Sequence, residues 1–246
     1  MIGLGFWQLA RLEERRAENA ARLAALEQSP IALTGEEADL AALAGRRVRL
    51  RGTFLNEDSV VLRGRRSASG VDGVHLLTPL RLAGSEAAVL VDRGWLPASQ
   101  RGREALAAYA VPREVELEGV AHPPQVRPDS PLAPIDAPMP GEERIEAWVR
   151  VDVAAIQRQV DAPLLPLYVE ALPSPGDPPL PQPADPRQLD EGPHLGYAIQ
   201  WFAFSALLII VYAALIRSEL RKPGERGAAR PGDQGAAQSP GSPKPS

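Results

Sequence analysis

The run Leu195–Ile216, LGYAIQWFAFSALLIIVYAALI, holds no charged residue, no proline and a single glycine. At a rise of about 1.5 Å per residue it reaches about 33 Å, enough to cross a hydrocarbon core of about 30 Å. A soluble helix of this length would carry a polar face; here Gln200 and Ser205 are the main polar side chains. The sequence therefore predicts a transmembrane helix over 193–216, and with it a membrane-attached domain rather than a free enzyme.

The flanks of the run set its direction. Glu191-Gly-Pro193-His194 opens it, and proline suits the first helical position because its missing N–H has no partner there. Arg217, Arg221 and Lys222 follow its exit. Residues 217–246 hold six Lys/Arg against three Asp/Glu, whereas the whole chain carries −4. The positive-inside rule then puts the tail in the cytoplasm and the acidic remainder outside. Steps of three and four align His194, Tyr197, Trp201, Ser205, Leu208 and Tyr212 on one face. That stripe reads either as an interfacial aromatic belt or as a face that meets another helix or a flat ligand. An ionisable residue at the membrane edge, His194, is a functional candidate by default.

Upstream, Met1–Ala10 (MIGLGFWQLA) is apolar but reaches only about 15 Å. With no basic n-region and no small-residue cleavage site it is not a secretory signal. It reads as the last turns of a truncated first membrane helix, continued by a helix of Leu, Arg, Glu and Ala, together filling residues 1–28. A second short helix is predicted from Thr34, a good N-cap, to Leu43.

Strands begin at Arg46. Val48, Leu50 and Phe54 alternate with polar residues in the period-two pattern of a half-buried strand. Runs at 59–62, 74–82, 87–91, 114–120, 147–151 and 164–170 follow. About seven short strands predict an α+β body over residues 29–190, an antiparallel sheet or small barrel. Short helices interrupt it near Gln100–Ala108 and Val153–Val160, and Pro79 argues for an edge or a bulge in its strand. The proline-rich stretches 122–141 and 173–186 read as extended loops. After Pro223 the chain is too poor in apolar surface to fold, so residues 217–246 read as a cytoplasmic tail, disordered for most of its length.

Composition excludes several chemistries. The chain has no cysteine, which removes disulfides, thiolate metal sites and a Cys nucleophile. The three histidines, His75, His122 and His194, are far apart in sequence, and no metal site of the usual kinds is expected. His75 reads as a packed or surface strand residue and His122 as solvent-exposed. Arg63, Arg65 and Arg66 form a basic patch, but the acidic balance argues against nucleic acid. No nucleophile elbow or phosphate-binding glycine turn is present. The loop Val91-Asp-Arg93-Gly94-Trp95-Leu-Pro97 stands out. Gly94 would permit an unusual backbone angle, Arg93 could pair with a carboxylate, and Trp95 could pack across the sheet or face a partner.

Gly5-Phe-Trp7-Gln8-Leu-Ala-Arg11, Gly52-Thr-Phe54, the Arg93-Gly94-Trp95 loop, Trp148, Tyr168 and His194-Leu-Gly-Tyr197-Ala-Ile-Gln-Trp201 occur in the order seen in the surfeit locus protein one family. From Gly3 to Arg221 the chain resembles that family. The resemblance implies a non-enzymatic assembly factor for cytochrome c oxidase in the cell inner (plasma) membrane, with an extracytoplasmic β-rich domain. It implies as partners oxidase subunit I and other oxidase assembly factors, and a part in bringing haem a to subunit I. On that likeness His194, with Tyr197 and Trp201 on its face, is the candidate haem contact. Arg93, Gly94, Trp95, Trp7 and Gln8 are candidate partner contacts. The alternative of another class is a membrane-tethered module binding a small ligand or lipid.

Overall fold

The computed structural model describes residues 1–126, 128, 130, 132–138 and 144–221. The tail expected to be disordered from Pro223 onward, and parts of the first proline-rich stretch, lie outside the described residues. The chain divides into two compact units, one of Met1–Leu12 with the segment from Pro193 onward, the other Glu13–Gly192.

Among the described residues the larger unit is built on eight strands: β1 (Ile31–Ala32), β2 (Arg47–Phe54), β3 (Val60–Arg66), β4 (Asp72–Leu82), β5 (Ala88–Pro97), β6 (Glu114–His122), β7 (Ala147–Trp148) and β8 (Leu164–Ala171). Neighbours run in the order β2-β6-β8-β5-β4, and β4 pairs back onto β2, so these five strands close a small barrel. β3 and β7 extend from β4, and β1 lies beside β2. Barrel closure meets the sequence expectation, but the sheet is mixed. β5 runs parallel to β8, as do β1 to β2 and β3 to β7. Among the described elements the chain reaches β8 from β5 only after β6, β7 and two short helices, and such a crossover leaves a strand free to arrive in parallel.

Period two decides what fills the barrel. In β2, Val48, Leu50, Gly52 and Phe54 are buried while Arg49, Arg51 and Thr53 face out. Val48, Leu50, Phe54, Leu80, Leu82, Val89, Val91, Leu167 and Val169 pack together as the interior. Gly52 pairs with Val115 on one side and Leu82 on the other. A Cβ there would stand 2.0 Å from the Arg81 carbonyl oxygen, so the seam closes only over glycine. Outside, the other faces of β3–β5 (Leu62, Leu77, Leu90) pack under Trp148, Val151 and Ile156, with Trp148 Nε1 donating to the Ile145 carbonyl at 3.0 Å.

Three local expectations need correction. Thr34 does not start a helix to Leu43; only a single 3₁₀ turn, Ala41–Leu43, forms. Gly35 follows at φ +90°, which no helix tolerates, and Glu37 turns back to bind the Thr34 and Gly35 amides. Pro79 lies in a central strand, paired with Leu90 of β5. It is tolerated because the other side of β4 changes partner there, from β3 at Leu77 to β2 at Leu80. The bulge in β4 falls between His75 and Leu77 instead. The helices expected at 100–108 and 153–160 are shorter: α2 (Arg103–Ala107) and α3 (Val153–Ile156), each beside a 3₁₀ turn.

In the smaller unit, α4 (His194–Leu220) is the one described helix long and apolar enough to cross a membrane. It starts behind Pro193 and carries Arg217 in its last turn, where a cation meets the negative end of the helix dipole. Of α1 (Ile2–Glu27) the part up to Leu12 belongs to this unit, and its first residues pack on α4.

Candidate functional site

The helical unit is held by a short seam. On α1, Gly5 and Leu12 are buried and Gln8 is half-buried between them, the three- and four-residue spacing of one helix face. A Cβ on Gly5 would stand 2.6 Å from the Phe202 ring, so α4 approaches closely because the glycine has no side chain. Small residues let apolar helices do this. Phe6 meets Phe202 edge-on at 5.3 Å between centroids. One turn along, the Gln8 carbonyl Oε1 lies 2.8 Å from His194 Nδ1. Ala198 and Ser205 are the buried positions of α4, and the Ser205 hydroxyl donates to the Trp201 carbonyl at 2.7 Å.

The predicted stripe on α4 therefore divides. His194 and Ser205 face the seam, whereas Tyr197 is 48% exposed and Leu208 and Tyr212 are exposed as well. Trp201 is half-buried and meets Phe204 edge-on at 6.3 Å. Of the predicted site residues the structure brings Gln8 and His194 into contact. Trp7, 54% exposed, lies off the seam.

Arg93, Gly94 and Trp95 belong to the barrel unit, at the end of β5. Arg93 follows Val89 and Val91 on the interior-facing phase, and its guanidinium lies 4.7 Å from the centre of the Phe54 ring. Among the described residues it meets no carboxylate, so the expected ion pair is replaced by a cation–π contact. Burial pulls its pKa down to about 10. Gly94 has φ +114° and donates its N–H to Asp92 Oδ1 at 3.0 Å. Trp95 exchanges backbone hydrogen bonds with Gln182. Its indole lies over Gly73, where a Cβ would stand 2.2 Å from Nε1.

A polar cluster on the barrel wall was missed by sequence reasoning. Asp92 and Glu170 stand side by side in the β5–β8 register. His75 Nδ1 lies 2.8 Å from Asp92 Oδ2. His122 stacks on Tyr168 at 5.2 Å with its Nε2 3.3 Å from Glu170 Oε2, so it is not the free surface residue expected. Gln125 donates to the Tyr168 hydroxyl at 3.2 Å. Arg65, His75, Asp92, Gln125, Tyr168 and Glu170 surround a cavity of about 100 Å³, room for about three waters at ~30 Å³ each. His122 holds the Glu170 carboxyl below the ordinary range, against the opposing effect of burial. Burial, then the Glu170 charge, pushes the Tyr168 phenol up. The available signal was a carboxylate on the phase opposite the interior residues, Asp92 after Leu90 and Glu170 after Tyr168. No three His, Asp or Glu among the described residues converge as metal ligands.

Residues 1–206 match the model of the SURF1 family. A SURF1-like protein of Monosiga brevicollis is 30% identical over 93% of this chain and 87% of its own length. One from Rickettsia felis is 31% identical over 89% and 92%. The Surfeit locus protein 1 of Arabidopsis thaliana is 28% identical over 90% and 76%.

Proposed function

The chain belongs to the SURF1 family, and from that membership we propose that it is a non-enzymatic, membrane-bound assembly factor for cytochrome c oxidase that helps haem a reach subunit I. The observation that carries the proposal is the Gln8–His194 contact, which ties an imidazole at the start of an apolar helix to a second helix. By the charge asymmetry of the sequence, the barrel lies outside the cell's inner membrane and the segment after α4 lies in the cytoplasm.

The residues of this unit fit one side of a haem site. Gln8 engages His194 Nδ1 and leaves Nε2 as the other ring nitrogen. When bound, haem would supply an iron that binds a neutral imidazole. His194 would hold it through its imidazole, and Tyr197 and Trp201 would lend apolar, flat surface beside it. A second helix or the oxidase subunit would supply the other wall. Trp7, exposed at the edge of α1, serves contact with partner proteins, whereas Arg93, Gly94 and Trp95 hold the end of β5 and Gln8 holds His194.

The test is purification of the full chain in detergent from cells that make haem a. A Soret band that disappears in His194→Ala is expected. A colourless wild-type protein that still co-purifies with subunit I would remove the haem step and leave a scaffold.

A further inference from the structure

We infer that Gln8 is a positioning residue that holds His194 in its Nδ1–H tautomer and so leaves Nε2 as the ligating nitrogen. This rests on the reading of His194 as a haem contact. The amide oxygen of Gln8 can only accept, and at 2.8 Å from Nδ1 it demands that this nitrogen carry the proton. Nε2 then keeps its lone pair. Ligating histidines are commonly fixed in this way, the second ring nitrogen donating to an oxygen that sets tautomer and ring orientation.

The contact is built rather than incidental. Gln8 stands between buried Gly5 and buried Leu12 on one face of α1, so it is supported on a helix and not on a loop. The Gly5–Phe202 close approach fixes how the two helices register. That register is what brings positions 186 residues apart to hydrogen-bonding distance.

The test uses the haem-free full chain, labelled with ¹⁵N-histidine and placed in detergent micelles, at a pH where the imidazoles are neutral. The His194 signals are those lost in His194→Ala. Wild type is expected to show the Nδ1–H tautomer, and Gln8→Met, which keeps length and apolar bulk, a shift to Nε2–H. Unchanged His75 and His122 signals report that the barrel is intact. An Nε2–H tautomer in wild type, or no shift in Gln8→Met, overturns the inference. In a haem titration Gln8→Met should bind roughly 10-fold more weakly, and Gln8→Glu, which retains the acceptor, should recover the loss. Unchanged affinity in a Gln8→Met protein whose tautomer has switched overturns the positioning role. Wild type that keeps the Nδ1–H tautomer yet binds no haem overturns the haem reading and leaves the tautomer assignment standing.

Discussion

The guanidinium of Arg93 lies 4.7 Å from the centre of the Phe54 ring, a cation set against an aromatic face in the row of side chains that fills the barrel. Burial without a carboxylate partner is costly for a cation, and the ring supplies part of the compensation. Desolvated cation–π pairs contribute about 2 kcal/mol. A double-mutant cycle of Phe54→Leu and Arg93→Met, read by urea unfolding in detergent, should give a coupling of about 1–2 kcal/mol. Additive losses would show that the two side chains do not support each other.

Asp92 serves two donors, His75 through Oδ2 and the Gly94 amide through Oδ1. Asp92→Ala leaves both without an acceptor inside the barrel wall, and each such loss costs about 1–3 kcal/mol. Asp92→Asn keeps one acceptor oxygen for Gly94 and should cost less. Equal stability of the two variants in thermal unfolding would contradict this account of the β5 turn.

Glu170 supplies the pH dependence. Its folded pKa is below the ordinary 4.5, chiefly through His122. The unfolded chain therefore takes up the proton first as pH falls. The stabilisation is full above the unfolded value and is lost as pH drops through the folded one. Glu170→Gln should flatten the stability profile below about pH 4.5, and His122→Ala should move the loss to higher pH. A variant profile that overlays the wild type in that window would show that Glu170 is not the group responsible.

Gly5 is a steric requirement of the helix seam, since any Cβ would enter the Phe202 ring. Gly5→Leu should separate α1 from α4, break the Gln8–His194 contact and lower oxidase assembly. Gly5→Ala with Phe202→Leu should restore assembly, because the shorter side chain vacates the space. Full activity of Gly5→Leu in a complementation assay would mean that the seam is dispensable.

What could be read in the sequence was whatever depends on local pattern. α4 announces itself because lipid demands an unbroken apolar run. β2 announces itself because Val48, Leu50 and Phe54 keep one phase against Arg49 and Arg51. The barrel was legible from strand number and spacing, but the parallel β5–β8 pairing was not, because nothing local records which way a distant strand arrives. The same gap hid the polar cluster, since Asp92 and Glu170 become neighbours only through that pairing. Arg93 was singled out for a carboxylate, yet its partner is Phe54, whose alternation marks it only as core. His194 was visible at the head of its helix. Its hydrogen-bond partner was not, since it lies 186 positions away.

In the proposed function this chain serves oxidase maturation through the imidazole at the head of α4. The most direct measurement is the haem a-bearing oxidase in membranes of a strain lacking this gene, complemented with wild type or with His194→Ala. Deletion should lower the haem a signal of subunit I, wild type should restore it, and His194→Ala should restore it only in part. An oxidase content indifferent to deletion would contradict the claim outright.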